Sequence, residues 1–348
     1  GVGLRLKPRS PVKPKLTAEE TEEMIHKLKW KGKYIRSMKV AQIRKHLAAL
    51  GLSVEGYQPE LKSRLIDAVC ELQHVKNNPY HNSYKNKFET IMQKLKNEST
   101  NKVVLSRMKE LTMEKKINVA SQMKYLRKDY SSCLNFLFSY PDLGAFIGST
   151  PETLIKYNNR TIEADALAGT SINNSGNYQE PINELVDSDK NNEEHKIVLD
   201  YIIEKLTPLC ESISYSKKPS ILKLKNVDHL LSKVEGSAKQ SFHLLDLVNK
   251  IHPTPAISGN PIDTSLKIIS TLEDHSRGWY AGPIGWVDKN GYGEAKVALR
   301  SCLVNDRKAF LFSGSGIVNK SELIKEWEET ELKFLPMLNS LKTKKIYE

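Results

Sequence analysis

Cysteine and long apolar segments are scarce in this sequence. Its four cysteines (Cys70, Cys133, Cys210 and Cys302) lie far apart among 348 residues and form no CxxC pair. This spacing argues against a zinc site or a disulfide framework and is typical of proteins from a reducing compartment. No apolar run approaches the roughly 18 residues that a membrane-spanning helix needs. The length predicts two domains, or one large domain with a small appendage.

Acidic residues are scarce in the N-terminal quarter of the chain. Residues 1–80 contain 16 Lys and Arg against 8 Asp and Glu, so this quarter carries +8 of the net charge of +12. A local excess of this kind indicates either a solvated tail or a surface for an anionic partner such as nucleic acid.

Composition and apolar spacing divide the chain into four parts. Residues 1–16 are rich in Pro and Lys and show no period, which predicts a flexible leader. Residues 17–72 contain three short stretches with apolar residues at helical spacing. Residues 73–84 are polar, as expected of a linker. Strand-like and helix-like stretches alternate in residues 85–348, which we expect to form the main domain.

The segment 38–69 resembles the SAP motif, in which two short helices flank a turn that contains glycine. The matching positions are Leu47, Gly51, Leu52, Gly56, Glu60, Leu61, Arg64 and Leu65. The resemblance implies a small helical module that binds DNA through helix N-termini and basic side chains, with RNA or protein as alternative partners. The basic residues assigned to this interface are Lys29, Lys31, Lys33, Arg36, Lys62 and Arg64. Alternatively, these charges form a solvated face.

Nine short motifs follow one another in a fixed order between Asn101 and Lys333. They read NKVVLSR, FIGSTPETL, ALAGTS, SDKNNEEHKIV, HPTPAISGNP, RGWYAGPIGW, GYGEAKVALRS, SGSGIVNKS and EWEETELK. Together they resemble the chorismate-utilising enzymes, and within that family the isochorismate synthase branch, over roughly residues 85–342. The resemblance implies an α/β fold in which antiparallel sheets enclose the active site and helices lie outside. In this chain, the small SAP-like helical module would precede that α/β fold.

The reaction implied by this resemblance defines the groups that the site needs. Chorismate carries two carboxylates and a ring hydroxyl at C4, and isochorismate carries the hydroxyl at C2, with the oxygen coming from water. A base must activate that water, and an acid must protonate the leaving hydroxyl. The resemblance assigns the base to Lys102 and the acid to Glu152. A lysine can act as a base only if burial or nearby positive charge lowers its pKa.

The resemblance also assigns a metal site and a substrate site. Glu194 and Glu329 match the family's Mg²⁺ ligands, whereas Glu193 and Glu326 are expected to be surface or supporting residues. Mg²⁺ commonly uses one or two carboxylates together with oxygens of an anionic substrate. The positions that match substrate contacts are Ala168, Gly169, Thr170, Ala256, Tyr280, Arg300, Gly314, Gly316 and Lys333. An arginine can pair a carboxylate through two hydrogen bonds, and glycines allow backbone amides to approach an anion.

Two positions narrow the nucleophile to water. The aminodeoxychorismate branch carries a nucleophilic lysine where this chain has Ala168, and anthranilate synthases lack a lysine that matches Lys102. Salicylate synthases share both features and also eliminate pyruvate, so they remain an alternative. Ala256 and Ile257 favour the branch that stops at isochorismate.

Two departures from the family motivate a non-enzymatic alternative. The family normally has about 100 residues of α/β structure before the KVVLSR motif, and Asn191 replaces an expected acidic residue. The alternative is a catalytically idle fold that serves as a nucleic-acid-associated structural protein. The proposed catalytic, metal and carboxylate-binding groups are all present, which favours an active enzyme. We expect a monomer without membrane contact, located in a plastid or, alternatively, in the cytoplasm.

Overall fold

The computed structural model describes residues 79–97, 99–141, 143–172 and 185–341. The chain divides into two units, Gly1–Ser83 and Tyr84–Glu348, and nearly all described residues belong to the second. The predicted leader, the SAP-like module and its basic residues lie outside the described residues. Within the described ranges, no helix is both long enough and apolar enough to cross a membrane.

Two antiparallel sheets form the framework of the described chain. The strands are β1 (Lys102–Thr112), β2 (Leu134–Tyr140), β3 (Gly144–Thr150), β4 (Thr153–Asn158), β5 (Thr161–Ile172), β6 (Cys210–Tyr215), β7 (Ser220–Lys223), β8 (Val227–Ala238), β9 (Gly259–Asn260), β10 (Pro283–Val287), β11 (Gly293–Val297), β12 (Ser301–Asn305) and β13 (Lys308–Ile317). The first sheet has the order β2–β3–β12–β13–β1–β9. The second has the order β10–β11–β4–β5–β8–β6, with β7 beside β8. This arrangement confirms the predicted α/β fold with antiparallel sheets.

Strand β1 positions the first predicted catalytic residue. Its first five residues, Lys102–Ser106, are all buried, whereas exposure increases toward Thr112. The strand pairs with β13 along most of its length and with β9 at its beginning, so neighbours flank both edges where Lys102 lies. Lys102 therefore occupies a buried strand position at which an apolar residue would be usual.

The helices pack against the sheets, and two of them carry Glu194, Glu329 and Lys333. They are α1 (Pro79–Lys96), α2 (Val119–Asp129), α3 (Asp189–Leu206), α4 (Leu244–Ile251), α5 (Ile262–Leu272) and α6 (Leu323–Leu341). The side chain of Ser188 caps α3 by accepting a hydrogen bond from the backbone N–H of Asn191. Both helices bury glutamates in their N-terminal halves, Glu194 in α3 and Glu326 and Glu329 in α6.

Helix α1 begins within the segment 73–84 that was predicted to be a linker. It starts at Pro79, six residues before the predicted boundary, because proline suits a first helical turn, where its missing N–H leaves no intrahelical bond unmade. Its apolar face includes Phe88 and Ile91 and packs against Val103 of β1 in one hydrophobic cluster. The helix from Tyr84 onward therefore belongs to the core of the second unit.

Candidate active site

The predicted site residues converge on one cavity that both sheets line. Eleven of the thirteen candidates border it: Glu152, Ala168, Gly169, Thr170, Glu194, Ala256, Tyr280, Arg300, Gly314, Gly316 and Lys333. The other two lie directly behind the wall. Lys102 contacts Glu194, and Glu329 contacts Thr170 and Lys333. Motifs that are far apart in sequence are therefore joined in one site.

A bulge in β5 shapes the wall of the cavity that carries the ALAGTS motif. The pairing of β5 with β8 shifts between Ala168 and Thr170, and Gly169 adopts a φ of 76°. A Cβ on Gly169 would lie 3.0 Å from the Cβ of Asn191, so glycine suits this close approach to α3. The Asn191 side-chain oxygen accepts a hydrogen bond of 3.4 Å from the backbone N–H of Thr170. Asn191, which replaces the expected acidic residue, therefore still supports the bulge through a hydrogen bond.

Lys102 is fully buried beside a carboxylate. Its Nζ lies 3.1 Å from Oε1 of Glu194. Burial lowers the pKa of Lys102, and the negative charge of Glu194 partly opposes this effect. The lowered pKa is the direction that a lysine base requires.

Gly316 makes the contact between Lys102 and Glu194 possible. A Cβ at this position would lie only 2.1 Å from Oε1 of Glu194 and 2.7 Å from Cε of Lys102. Glycine was predicted here so that a backbone amide could approach an anion. In the structure, the space left by the missing side chain accommodates the contact between Lys102 and Glu194, and the approach of a backbone amide to a substrate anion stays a prediction.

Glu152 lies in the turn between β3 and β4 and is 5% exposed. Burial raises the pKa of its carboxyl to about 7, although the charge of Lys102 acts in the opposite direction. A carboxyl with this pKa is substantially protonated at neutral pH and can donate a proton. Glu152 therefore has the protonation behaviour expected of a general acid.

Arg300 is held by a neutral histidine that carries no predicted role. Nη2 of Arg300 donates a hydrogen bond of 2.9 Å to Nε2 of His229. Burial lowers the pKa of His229 to about 3, so the ring is neutral. Because Nε2 accepts, Nδ1 carries the hydrogen and donates to the Gly169 carbonyl at 3.1 Å. In the sequence, His229 lies between Val227 and the pair Leu230–Leu231, in a strand whose first four residues are buried, and this is a weak signal for a buried histidine.

A lysine outside the predicted set stands at the centre of three buried carboxylates. Nζ of Lys190 lies 3.0 Å from Glu194 Oε2, 3.1 Å from Glu326 Oε1 and 3.8 Å from Glu329 Oε2. Burial disfavours its charge, but the three carboxylates outweigh this effect and raise the pKa of Lys190 well above its usual value. Lys333 forms an ion pair with Oε1 of Glu329.

Glu326 lies in the interior, so of the surface and supporting roles expected for it only the supporting role is compatible with its position. It is 1% exposed, and its Oε1 also accepts a hydrogen bond of 2.7 Å from the hydroxyl of Ser321. Positions 326, 329 and 333 fall three and four residues apart, so α6 presents them on one face. Glu326 thus belongs to the buried carboxylate cluster rather than to the surface.

The carboxylate cluster has the donor chemistry of a site for a hard divalent cation. Glu194 and Glu329 offer oxygens, which Mg²⁺ prefers, and one or two such carboxylates are usual for this ion. Among the described residues, however, no group of three or more His, Cys, Asp or Glu side chains is arranged to hold a metal ion. The donors fit Mg²⁺ by type, while their present geometry is organised around the Lys190 ammonium.

Aromatic and apolar side chains also contribute to the cavity and its surroundings. Tyr280 stacks on Phe312 with ring centroids 5.4 Å apart and an angle of 14° between the rings. Burial raises the pKa of Tyr280 to about 12, so this side chain is an uncharged hydrogen-bonding group. Ala256 borders the same space. A ring-shaped substrate that carries charged groups would suit a cavity lined by these apolar and aromatic residues together with Arg300 and Lys333.

The sequence is similar to a family of chorismate binding enzymes and to isochorismate synthases. It matches the profile of the family described as chorismate binding enzyme over residues 36–342, a range that begins just before the SAP-like segment. It is 37% identical over 257 residues to isochorismate synthase MenF of Bacillus subtilis (strain 168), which covers 73% of this chain and 54% of that protein. It is 33% identical over 265 residues to isochorismate synthase 2, chloroplastic, of Arabidopsis thaliana, which covers 75% and 47%.

The fold is also similar to a solved structure. The crystal structure of the putative 2,3-dihydroxybenzoate-specific isochorismate synthase DhbC from Bacillus anthracis matches with a TM-score of 0.73 at 29% identity, covering 75% of this chain and 72% of that chain. The chain spans about half the length of the two curated relatives named above.

Proposed function

Because the chain belongs to the chorismate binding enzyme family, we propose that it converts chorismate to isochorismate with Mg²⁺ as its cofactor. The observation that carries this proposal is that two buried groups near one cavity have pKa values shifted in opposite directions. Glu152 has a raised pKa and Lys102 a lowered one, which suits an acid and a base that work near neutral pH. The similarity to isochorismate synthases supports the same reaction.

The acid and the base have separate tasks in this proposal. Glu152 donates its proton to the C4 hydroxyl of chorismate as that group leaves. Lys102, in its neutral form, takes a proton from the water that adds at C2. Ala168 places only a methyl group in the cavity wall, so the protein offers no amine there to replace water. The C4 hydroxyl leaves as water and the added water supplies the C2 hydroxyl, so substrate and product have the same composition. Lys102 then releases its proton to solvent and Glu152 regains one, which resets both groups for the next turnover.

Cationic groups bind the two carboxylates of the substrate. Arg300 borders the cavity, and the neutral imidazole of His229 orients its guanidinium without competing for negative charge. Lys333 borders the same cavity and is held by the Gly314 carbonyl at 3.0 Å. Bound Mg²⁺, held by Glu194 and Glu329, would neutralise and orient a substrate carboxylate.

Product analysis tests this function and its nearest enzymatic alternative. The purified full chain is incubated with chorismate and Mg²⁺, with and without a chelator, and the products are separated by chromatography. Isochorismate that forms only in the presence of Mg²⁺ is the expected result. Salicylate together with pyruvate would assign the chain to the salicylate synthase branch. Absence of product from folded, metal-loaded protein would favour the catalytically idle alternative.

A nucleic-acid interface is a second, independent proposal for the N-terminal region. It is supported by the excess of basic residues in residues 1–80 and by the SAP-like pattern at 38–69. We expect the full chain to bind duplex DNA with an affinity that falls as salt rises, because phosphate contacts release counterions. No binding at low salt would contradict this proposal. The resemblance to a chloroplastic relative supports a plastid location, with the cytoplasm as the alternative.

A further inference from the structure

The geometry of the carboxylate cluster (Glu194, Glu326 and Glu329) points to a role for Lys190 in metal binding. We propose that the Lys190 ammonium is the internal cation of this cluster and that a divalent metal ion binds only when this ammonium moves out. The proposal rests on the proposed function, because it takes Glu194 and Glu329 as the metal-binding pair.

The oxygens that would bind the metal already have ammonium partners. Oε1 of Glu194 faces Lys102 at 3.1 Å and Oε2 faces Lys190 at 3.0 Å. Oε1 of Glu329 is bound by Lys333 and by the hydroxyl of Thr170. A Mg²⁺ ion must approach its ligand oxygens to about 2.1 Å. An ammonium that contacts the same carboxylates would then face a doubly charged ion at close range, which strongly disfavours joint occupancy.

Two of these three lysines, Lys190 and Lys333, border a cavity into which the side chain could move. The Lys102 side chain is fully buried, and Lys333 is held by the Gly314 carbonyl. Lys190, in contrast, borders a second cavity of about 460 Å³ that extends from Glu326 and Glu329 of the cluster to Asp189, Lys320 and Lys325. It is the second residue of α3, so rotation of its long side chain can carry the ammonium into that cavity without movement of the helix.

The position of Lys190 also explains how three carboxylates stay together without a metal. Buried like charges repel one another strongly unless a cation compensates them. Lys190 contacts all three within 3.8 Å. It therefore keeps the cluster assembled, and it lowers the affinity for Mg²⁺ because the incoming ion must displace it.

Calorimetric titration of the full chain with Mg²⁺ alone tests this competition. We compare the wild type with Lys190→Met, which removes the charge and keeps an unbranched side chain only one atom shorter, and with Lys190→Arg, which keeps the charge. Lys325→Met is the matched control, because Lys325 borders the same outer cavity but is 66% exposed and paired with Glu322. Lys190→Met is expected to bind Mg²⁺ roughly tenfold tighter or more, and Lys325→Met about as tightly as the wild type. Lys190→Arg is expected to bind no tighter than the wild type.

Thermal unfolding supplies a second reading of the same variants. In a chelator, Lys190→Met is expected to melt at a lower temperature than the wild type, because the carboxylates lose their compensating charge. Saturating Mg²⁺ should reduce or abolish this difference in melting temperature, since a ligand that binds only the folded state stabilises it. Equal or weaker Mg²⁺ binding by folded Lys190→Met, or no binding by either protein, would overturn the proposal.

Chemical labelling of the wild type decides the question if Lys190→Met does not fold. An amine-acetylating reagent followed by peptide mass spectrometry reports the accessibility of each lysine. Acetylation of Lys190 should rise when Mg²⁺ is added, while Lys102 stays protected. Unchanged protection of Lys190 at saturating Mg²⁺ would overturn the proposal. Tighter Mg²⁺ binding by Lys190→Met without chorismate turnover by the wild type would refute only the proposed function.

Discussion

Replacing Glu152 by glutamine is expected to remove activity and to stabilise the fold above neutral pH. The side chain is 5% exposed, and burial raises the pKa of its carboxyl from 4.5 to about 7. Glutamine has nearly the same size and hydrogen-bonding reach but carries no titratable proton. The substitution therefore separates the chemical role of the carboxyl from its effect on folding.

The sign of the stability change follows from the direction of the pKa shift. Between pH 4.5 and 7, the unfolded chain has released the Glu152 proton that the folded chain still binds. The free energy of unfolding therefore falls as pH rises through this window. One pKa unit corresponds to about 1.4 kcal/mol, so the carboxyl costs on the order of 3 kcal/mol above pH 7. Below pH 4.5 both states are protonated and this cost disappears.

Urea unfolding at two pH values measures this effect. At about pH 8, the free energy of unfolding of Glu152→Gln should exceed that of the wild type by up to about 3 kcal/mol, and at about pH 4 the two should agree. Glu163→Gln is the control, because the Glu163 side chain is 45% exposed and paired with Lys156. This control should change stability by no more than about 0.5 kcal/mol at either pH.

Kinetics complete the test of Glu152. Loss of a general acid typically lowers kcat by about 10²–10⁴-fold. Binding of chorismate should change little, because the amide can still contact the leaving hydroxyl. In the wild type, kcat should fall as pH rises above about 7, where Glu152 loses its proton. Near-normal turnover of Glu152→Gln, or lower stability at pH 8, would refute the assignment of a buried protonated acid.

Three further predictions concern the rest of the site. His229→Leu should raise KM for chorismate by roughly tenfold or more and change kcat little, because Arg300 loses its hydrogen-bond acceptor. His229→Gln should recover part of the affinity. Equal kinetics of both variants would contradict this role of His229. Gly316→Ala should lower stability by about 1–3 kcal/mol and weaken Mg²⁺ binding in titrations, because its Cβ would clash with Glu194, whereas Gly314→Ala should be milder. Chelation should abolish turnover while circular dichroism stays unchanged, since lysines compensate the carboxylates; unfolding on chelation would contradict this expectation.

The sequence by itself determined the family, the fold class and the set of residues that meet at the cavity. This was possible because each motif places its polar residue at a structurally constrained point. Glu194 follows the cap of α3 by a turn and a half, and Glu329 and Lys333 lie four residues apart on one face of α6. Local spacing is enough to predict such positions, and their order along the chain identifies the family.

The tertiary structure alone decided which charges compensate one another. Lys190 and Glu326 carry no signal of their own in the sequence, since a lysine or a glutamate on a helix is usually solvated. Their importance arises because α3 and α6 bring three buried carboxylates around one ammonium. His229 is similar, because its role depends on a bulge at Gly169 and on Arg300 from a distant motif. Burial and long-range contacts set these pKa values and partners, and neither is a property of local sequence.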